Sequence, residues 1–388
     1  MPPIYLDNNA TTRVADEVLA AMEPYYRDFY GNAHAAHALG RRAHTAVEQA
    51  RARVAALLGC ESDEVIFTSC GTEGNALVLR GALDHAIAGG SRRRKIVTTA
   101  VEHPSVMRLL QALRAAGEIE LAIVPVARDG ALDLDAMRRA IDDTTLLVSV
   151  MLAQNEIGVI YPIAEIAAIA HERGALLHVD AVQAAGKIAI SQRDLGADFL
   201  TISGHKLHAP KGVGALTIRR GSTLTPLWYG GGQELGMRSG TEPVPSIVGF
   251  GLAASMAVDA LPTFASLAQL RDHFERELLA SIDAVSINGA TQPRLPNTAS
   301  IAFHGIEADA MVRALDDAGI CVSAGAACNS GRVEPSATMK ALGLELEVAM
   351  GAVRFSVSRY TTAAEIDDAI AIIRRVHAAQ RATQSTMV

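Results

Sequence analysis

A lysine beside a histidine is an ordinary surface pair, but Ser203-Gly204-His205-Lys206 follows the apolar run Asp198-Phe199-Leu200-Thr201-Ile202 and precedes the turn Ala209-Pro210-Lys211-Gly212. That context predicts a strand whose carboxyl end carries Lys206. Open α/β sheets bind their ligands at such ends. A primary amine held there can condense with an aldehyde, and pyridoxal phosphate is the cofactor aldehyde held by lysine in this way. Two further strand ends supply matching chemistry. Asp180 closes Leu176-Leu177-His178-Val179 and is followed by Gln183. A carboxylate there either keeps a pyridinium nitrogen protonated, which makes the ring an electron sink, or caps a helix. The run Phe67-Thr68-Ser69-Cys70-Gly71-Thr72-Glu73-Gly74-Asn75 turns through glycine into an Ala- and Leu-rich segment. Free amides at a helix start, with Gly71 permitting close approach and Thr72 adding a hydroxyl, suit a phosphate.

A thiol adds a second reactive group. Cys328 sits in Ser323-Ala324-Gly325-Ala326-Ala327-Cys328-Asn329-Ser330-Gly331-Arg332, small residues with little to bury, which predicts an exposed, flexible loop. A thiol there, near Arg332, is a nucleophile able to travel to a substrate or a small apolar residue. Cys60, Cys70 and Cys321 read as ordinary buried cysteines. His103, in Val101-Glu102-His103-Pro104 just past the strand-like Lys95 to Thr99, either stacks on a flat cofactor and moves protons or starts a helix. Arg354 is a charge inside the apolar run Val353-Arg354-Phe355-Ser356 and needs an anion, which is a substrate carboxylate or a structural one. His34 and His37 have no carboxylate or histidine cluster to complete a site, so no metal is expected.

Such groups need elements to position them. Strand candidates at Glu64 to Thr68, Lys95 to Thr99, Leu121 to Val126, Leu146 to Met151, Leu176 to Asp180, Phe199 to Ser203 and Val213 to Ile218 alternate with helical patterns. In Pro162 to Arg173, for example, Ile163, Ile166, Ala167 and Ala170 recur at helical spacing. The alternation predicts a mainly parallel sheet covered by helices. From Pro243 the rhythm changes: helices over Pro243 to Ala260 and Ser266 to Ala280 lead to strands at Thr298 to Phe303, Ile320 to Ser323 and Val353 to Ser358. These strands alternate with helices at Ala308 to Ala318 and Ala364 to Ala379, which predicts a smaller α+β domain. A chain of 388 residues has length enough for both.

Composition bounds the partners. A formal charge of −7 and a pI near 6.0 give no basic field, so neither nucleic acid nor an anionic membrane is an expected partner. Arg92-Arg93-Arg94-Lys95 is short and reads as a solvated loop. Mean hydropathy is +0.20, yet no apolar run approaching the roughly 18 residues of a spanning helix is expected. Met1-Pro2-Pro3-Ile4-Tyr5-Leu6-Asp7 has neither the basic start nor the apolar stretch of a signal peptide, so a cytoplasmic protein is expected. The 4 cysteines include no C-x-x-C pair, and neither a disulfide framework nor a zinc knuckle is indicated.

Taken together, these segments resemble the cysteine desulfurase family, the NifS/IscS branch of the class V aminotransferase-like pyridoxal-phosphate enzymes. The likeness runs almost end to end, through Tyr5-Leu6-Asp7-Asn8-Asn9-Ala10-Thr11-Thr12, Thr68 to Asn75, Val101 to Val106, Asn155-Glu156-Ile157-Gly158 and His178 to Lys187. It continues through Gly204 to Gly214, Gly230 to Thr241, the Cys328 segment with Glu334-Pro335-Ser336, and Arg354-Phe355-Ser356. It implies the aspartate-aminotransferase-like fold type I, an α/β fold with a mainly parallel seven-stranded sheet covered by helices. Residues 13–255 would form the large cofactor-binding domain, and residues 1–12 with 256–388 a smaller α+β domain carrying Cys328. In the family, the lysine matching Lys206 holds the cofactor, the aspartate matching Asp180 pairs with the ring nitrogen, and the glutamine matching Gln183 bonds the ring hydroxyl. The histidine matching His103 stacks on the ring. Residues matching Gly71, Thr72, Ser203 and His205 hold the phosphate, and the threonine matching Thr241 reaches it from the neighbouring subunit, which implies a homodimer. Asn155, beside the cofactor, and Arg354 match the groups that hold the substrate carboxylate.

The implied reaction converts L-cysteine to L-alanine and leaves the sulfur on Cys328 as a persulfide. An acceptor protein, an iron-sulfur scaffold or a modification enzyme, would then take it. Other readings are a selenocysteine lyase or another β-lyase of the same fold, and a non-catalytic partner in a sulfur-transfer complex. The chain departs from the family pattern at Gly31-Asn32-Ala33-His34-Ala35-Ala36-His37, at Leu235, and at Ala324, Ala326 and Asn329. None of these positions is expected to hold the cofactor.

Overall fold

The computed structural model describes residues 3–324, 326–329 and 332–385. The seven apolar runs pair into one sheet: β1 (Val65–Thr68), β2 (Lys95–Thr99), β3 (Glu120–Val124), β4 (Thr145–Met151), β5 (Leu176–Asp180), β6 (Phe199–Ser203) and β7 (Gly214–Ile218). Their spatial order is β1-β7-β6-β5-β4-β2-β3. Only β7 runs against its neighbours β1 and β6; every other pairing is parallel. Helices cover both faces, so β2, β4 and β6 are buried at every residue. This is why they read as continuous apolar runs and not as alternating ones.

Four helices pack around the sheet. α1 (Ala38–Leu58), α2 (Gly71–Ala88) and α3 (Pro104–Ala115) lie early in the chain, and α4 (Val244–Ala260) follows the sheet. The starts of two of them, α2 and α3, border the site. α4 corrects an expectation about hydropathy. It opens the helical stretch Val244–Ser281, which contains an 18-residue window of mean hydropathy 1.6, long and apolar enough by composition to cross a membrane. In the fold α4 is a core helix, with Ile247, Phe250, Ala253, Ala254 and Ala257 buried. It packs so closely on α1 that a Cβ at Gly251 would stand 2.5 Å from Ala50 Cα.

A second core gathers Leu6, Leu267, Phe274, Ile301, Phe303, Leu315, Phe355 and Ile373. Its sheet consists of β8 (Val285–Ile287), β9 (Thr298–Phe303), β10 (Ser323–Ala324) and β11 (Ala352–Ser356), in the antiparallel order β10-β11-β9-β8. The single strand expected over Ile320 to Ser323 is divided. Ile320–Cys321 pairs in parallel with Ile4–Tyr5, whereas Ser323–Ala324 pairs with β11. The buried Val322 separates the two, so one short apolar run serves two sheets whose partners lie far apart in the chain. Where an irregular loop was expected, Ala326–Asn329 and Arg332–Pro335 pair as an antiparallel ribbon. The side chains of residues 326–329, Cys328 included, lie outside the described residues, as do Gly325, Ser330 and Gly331.

Candidate functional site

A cleft of about 380 Å³ opens where the carboxyl ends of β4, β5 and β6 meet the starts of α2 and α3. Gly71, Thr72, His103, Asn155, Asp180, Gln183, Ser203, His205, Lys206 and Arg354 all line it. Thr241 does not line it and is exposed on its own chain.

Lys206 stands on the single helical turn Gly204–Lys206 that ends β6. That turn needs glycine, because a Cβ at Gly204 would lie 2.9 Å from Val213 Cγ1. The Lys206 ammonium donates to Asn9 O at 2.5 Å and Ala10 O at 2.8 Å. Desolvation, reinforced by the Arg354 charge, pulls its pKa down to about 8 against the opposing pull of Asp7 and Asp180.

Asp180 is 6% exposed at the end of β5. Its Oδ1 accepts from Val182 N at 3.0 Å, so it closes a turn rather than capping a helix. Its Oδ2 accepts from Asn75 Nδ2 at 2.8 Å. Asn75 Nδ2 also donates to Ser105 Oγ at 2.9 Å, and that hydroxyl lies 2.7 Å from His103 Nδ1. The Ser105 main-chain N–H donates to the same Nδ1 at 3.1 Å, so Nδ1 is the acceptor and a neutral imidazole carries its proton on Nε2. His103 caps α3, as one reading had it, and it also borders the cleft. Desolvation lowers its pKa, and Lys206 adds to this while Asp180 opposes it.

The opposite end of the cleft suits an anion. α2 starts at Gly71 with no side-chain cap from Cys70, which leaves amides of its first turn available. The Ser203 hydroxyl is buried and has no hydrogen-bond partner among the described residues. His205 Nδ1 lies 3.1 Å from Thr11 Oγ1, and burial, then Lys206 and Lys211, push its pKa down to about 4, so it is neutral at physiological pH. An orphaned hydroxyl beside an uncapped helix start fits a phosphate ester.

Arg354 meets its structural reading and also lines the cleft. Nη2 pairs with Asp7 Oδ1 at 2.8 Å and Nη1 donates to Asn155 O at 3.0 Å, while Nε is buried without a partner among the described residues. A guanidinium already held by a structural carboxylate retains donor capacity for another anion.

Several residues of the site were not singled out from the sequence. Asn9 is the hub: its carbonyl accepts from Lys206 and Gln183, and its side chain bonds Lys187, Asn297 and Thr298. No local pattern points to it, because these partners are distant in the chain. Asn75 and Ser105 left a weak signal, since Asn75 lies one helical turn beyond Gly71 and Thr72 and Ser105 follows His103 by two residues.

The fold and cleft first define a class, an aspartate-aminotransferase-like α/β enzyme with a cleft lysine at a strand end. A model of the class-V aminotransferase family matches residues 4–368. A cysteine desulfurase of Trichormus azollae is 46% identical over 377 residues, covering 97% of this chain and 93% of the relative. One of Enterobacter agglomerans is 46% identical over 371 residues, covering 95% and 91%. A solved NifS-like protein matches with a TM-score of 0.90 at 37% identity, covering 96% of this chain and 99% of its own. The chain belongs to the class-V aminotransferase family, in its cysteine desulfurase branch.

Proposed function

We propose that this protein is a pyridoxal-phosphate-dependent cysteine desulfurase, which converts L-cysteine to L-alanine and loads the sulfur on Cys328 as a persulfide. The observation that carries this reading is that Lys206, Asp180 and the orphaned Ser203 hydroxyl share one cleft. The residues present fit the cofactor. Lys206 would hold it, Asp180 would face the ring nitrogen, Gln183 the ring hydroxyl and His103 the ring face. Gly71, Thr72, Ser203 and His205 would hold the phosphate. When bound, pyridoxal phosphate supplies an electron sink for negative charge at the substrate Cα.

The chain's own groups then divide the work. Arg354 and Asn155 orient the substrate carboxylate. Lys206, whose pKa is near 8, takes and holds the Cα proton at Nζ close to neutral pH. The Cys328 thiolate attacks the substrate sulfur; the S–S bond forms as the Cβ–S bond breaks, and protonation of the remaining carbon fragment gives alanine. Thr241, exposed on its own chain, would complete the phosphate site of a second copy in a homodimer. Residues 1–12 and 256–388 would act as the unit carrying Cys328, beside a cofactor-binding unit of 13–255. A cytoplasmic acceptor protein, an iron-sulfur scaffold or a modification enzyme, would take up the persulfide sulfur.

The deciding experiment incubates the protein with L-cysteine and follows alanine and protein-bound sulfur by mass spectrometry. Alanine should form together with a gain of one sulfur atom on the Cys328 peptide. Undiminished alanine release by Cys328→Ala would sink the desulfurase reading in favour of a β-lyase.

A further inference from the structure

Lys187 is buried, with 7% of its surface exposed, yet it has no carboxylate partner among the described residues. Its Nζ contacts two amide oxygens, Asn9 Oδ1 at 2.9 Å and Gln183 Oε1 at 2.7 Å. Both amide orientations are fixed independently of the lysine. Asn9 Nδ2 donates to the Asn155 carbonyl at 3.3 Å and to Thr298 Oγ1 at 2.9 Å, which turns Asn9 Oδ1 toward Lys187. Gln183 Nε2 donates to the Asn9 carbonyl at 2.9 Å, which turns Gln183 Oε1 toward Lys187. A carbonyl cannot donate, so neither amide can be reversed without setting oxygen against oxygen.

We propose that Lys187 is a positioning residue: by bracing Asn9 and Gln183 together it holds the Gln183 amide, already turned by the Asn9 carbonyl to present N–H, in place at the cleft. Gln183 lines the cleft, and its amide nitrogen keeps one further N–H beyond the bond to Asn9. This wall of the site therefore selects an acceptor oxygen on the ligand. For a pyridoxal cofactor that acceptor is the ring oxygen in its anionic form, so the inference rests on the functional reading above. Burial, with Lys206 and Arg354 adding to it, holds the Lys187 pKa well below the ordinary lysine range. A neutral amine still donates to both oxygens. Lys187 and Lys206 also line a second cavity of about 30 Å³, room for about one water to take a further amine hydrogen.

The test is a pH titration of the absorption band of the protein loaded with pyridoxal phosphate. A donor aimed at the ring oxygen favours the form bearing negative charge there, so it lowers the pH at which the band changes. Lys187→Met leaves Asp180, His103, His205, Arg354 and Lys206 in place but removes the brace, and the transition should move up by about one pH unit. Gln183→Met should move it in the same direction, and the double variant should match Gln183→Met alone, because the lysine acts through the glutamine. A folded, loaded Lys187→Met protein with the wild-type titration overturns the proposal, as does a double variant whose shift is the sum of the single shifts. Should Lys187→Met fail to fold, Lys187→Gln, whose shorter side chain cannot brace both oxygens, takes its place: an upward shift supports the brace and the wild-type titration overturns it. A wild-type protein that gains no band at all when pyridoxal phosphate is added overturns the functional reading, and this inference with it.

Discussion

Asn75 Nδ2 donates to Asp180 Oδ2 at 2.8 Å, tying the first turns of α2 to the end of β5. The helix whose start is proposed to hold the phosphate is thereby fixed against the carboxylate proposed to face the ring nitrogen. Both ends of one small cofactor must be met at once, so this bond sets the spacing of the site.

Asn75→Ala removes a charge-assisted hydrogen bond of about 1.5–3 kcal/mol. It should weaken retention of pyridoxal phosphate about 10- to 100-fold, read as the dissociation constant from an absorbance titration. It also removes the donor to Ser105, so His103 loses part of its support.

If Lys206 holds the cofactor as proposed, capture of its aldehyde by the apo-protein requires the neutral amine. With its pKa pulled down to about 8, the capture rate should rise with pH up to about 8 and level off above it. An unperturbed lysine would keep gaining rate to about pH 10. Stopped-flow absorbance at a series of pH values measures this, and Lys206→Ala should show no capture.

Arg354→Lys keeps a positive charge near Asp7 but loses the planar fork, its bond to Asn155 O and the spare Nε donor. KM for L-cysteine should rise roughly 10- to 100-fold while kcat changes less, as expected when a group that holds the substrate carboxylate is weakened. An effect confined to kcat would place Arg354 in the structure alone.

Glu102 lies beneath the site with Oε1 bonded by Thr99 Oγ1 and Met151 N and with Oε2 buried without a partner. Burial raises its pKa from 4.5 to about 8. The folded state therefore binds a proton that the unfolded state releases between these values. Its contribution to stability is fully present below about 4.5 and is lost as pH rises through about 8. Glu102→Gln, which cannot ionise, should flatten that decline by an amount on the order of a few kcal/mol, measured as denaturation midpoints from pH 5 to 9.

Much of the fold was legible because its signals are local. Strands buried on both faces read as continuous apolar runs, and β5, β6 and β9 lie where those runs lie. The apolar run at Ile320 to Ser323 was equally visible, but its division between two partners was not, since pairing is decided by segments far away. The helical stretch that α4 opens differs for a related reason: its composition would suit a membrane, and its packing on α1 makes α4 a core helix.

The chemistry of the site divides in the same way. Sequence alone determined which reactive groups stand at strand and helix ends, because Lys206, Asp180 and Gly71 each follow a local apolar run that ends in a turn. How those ends converge, the pairing of Asp7 with Arg354, and the hydrogen bonds that join Asn9, Gln183 and Lys187 appear only in the folded chain. These contacts join residues distant along the chain, and neither a period of 2 nor one of 3.6 carries information about them.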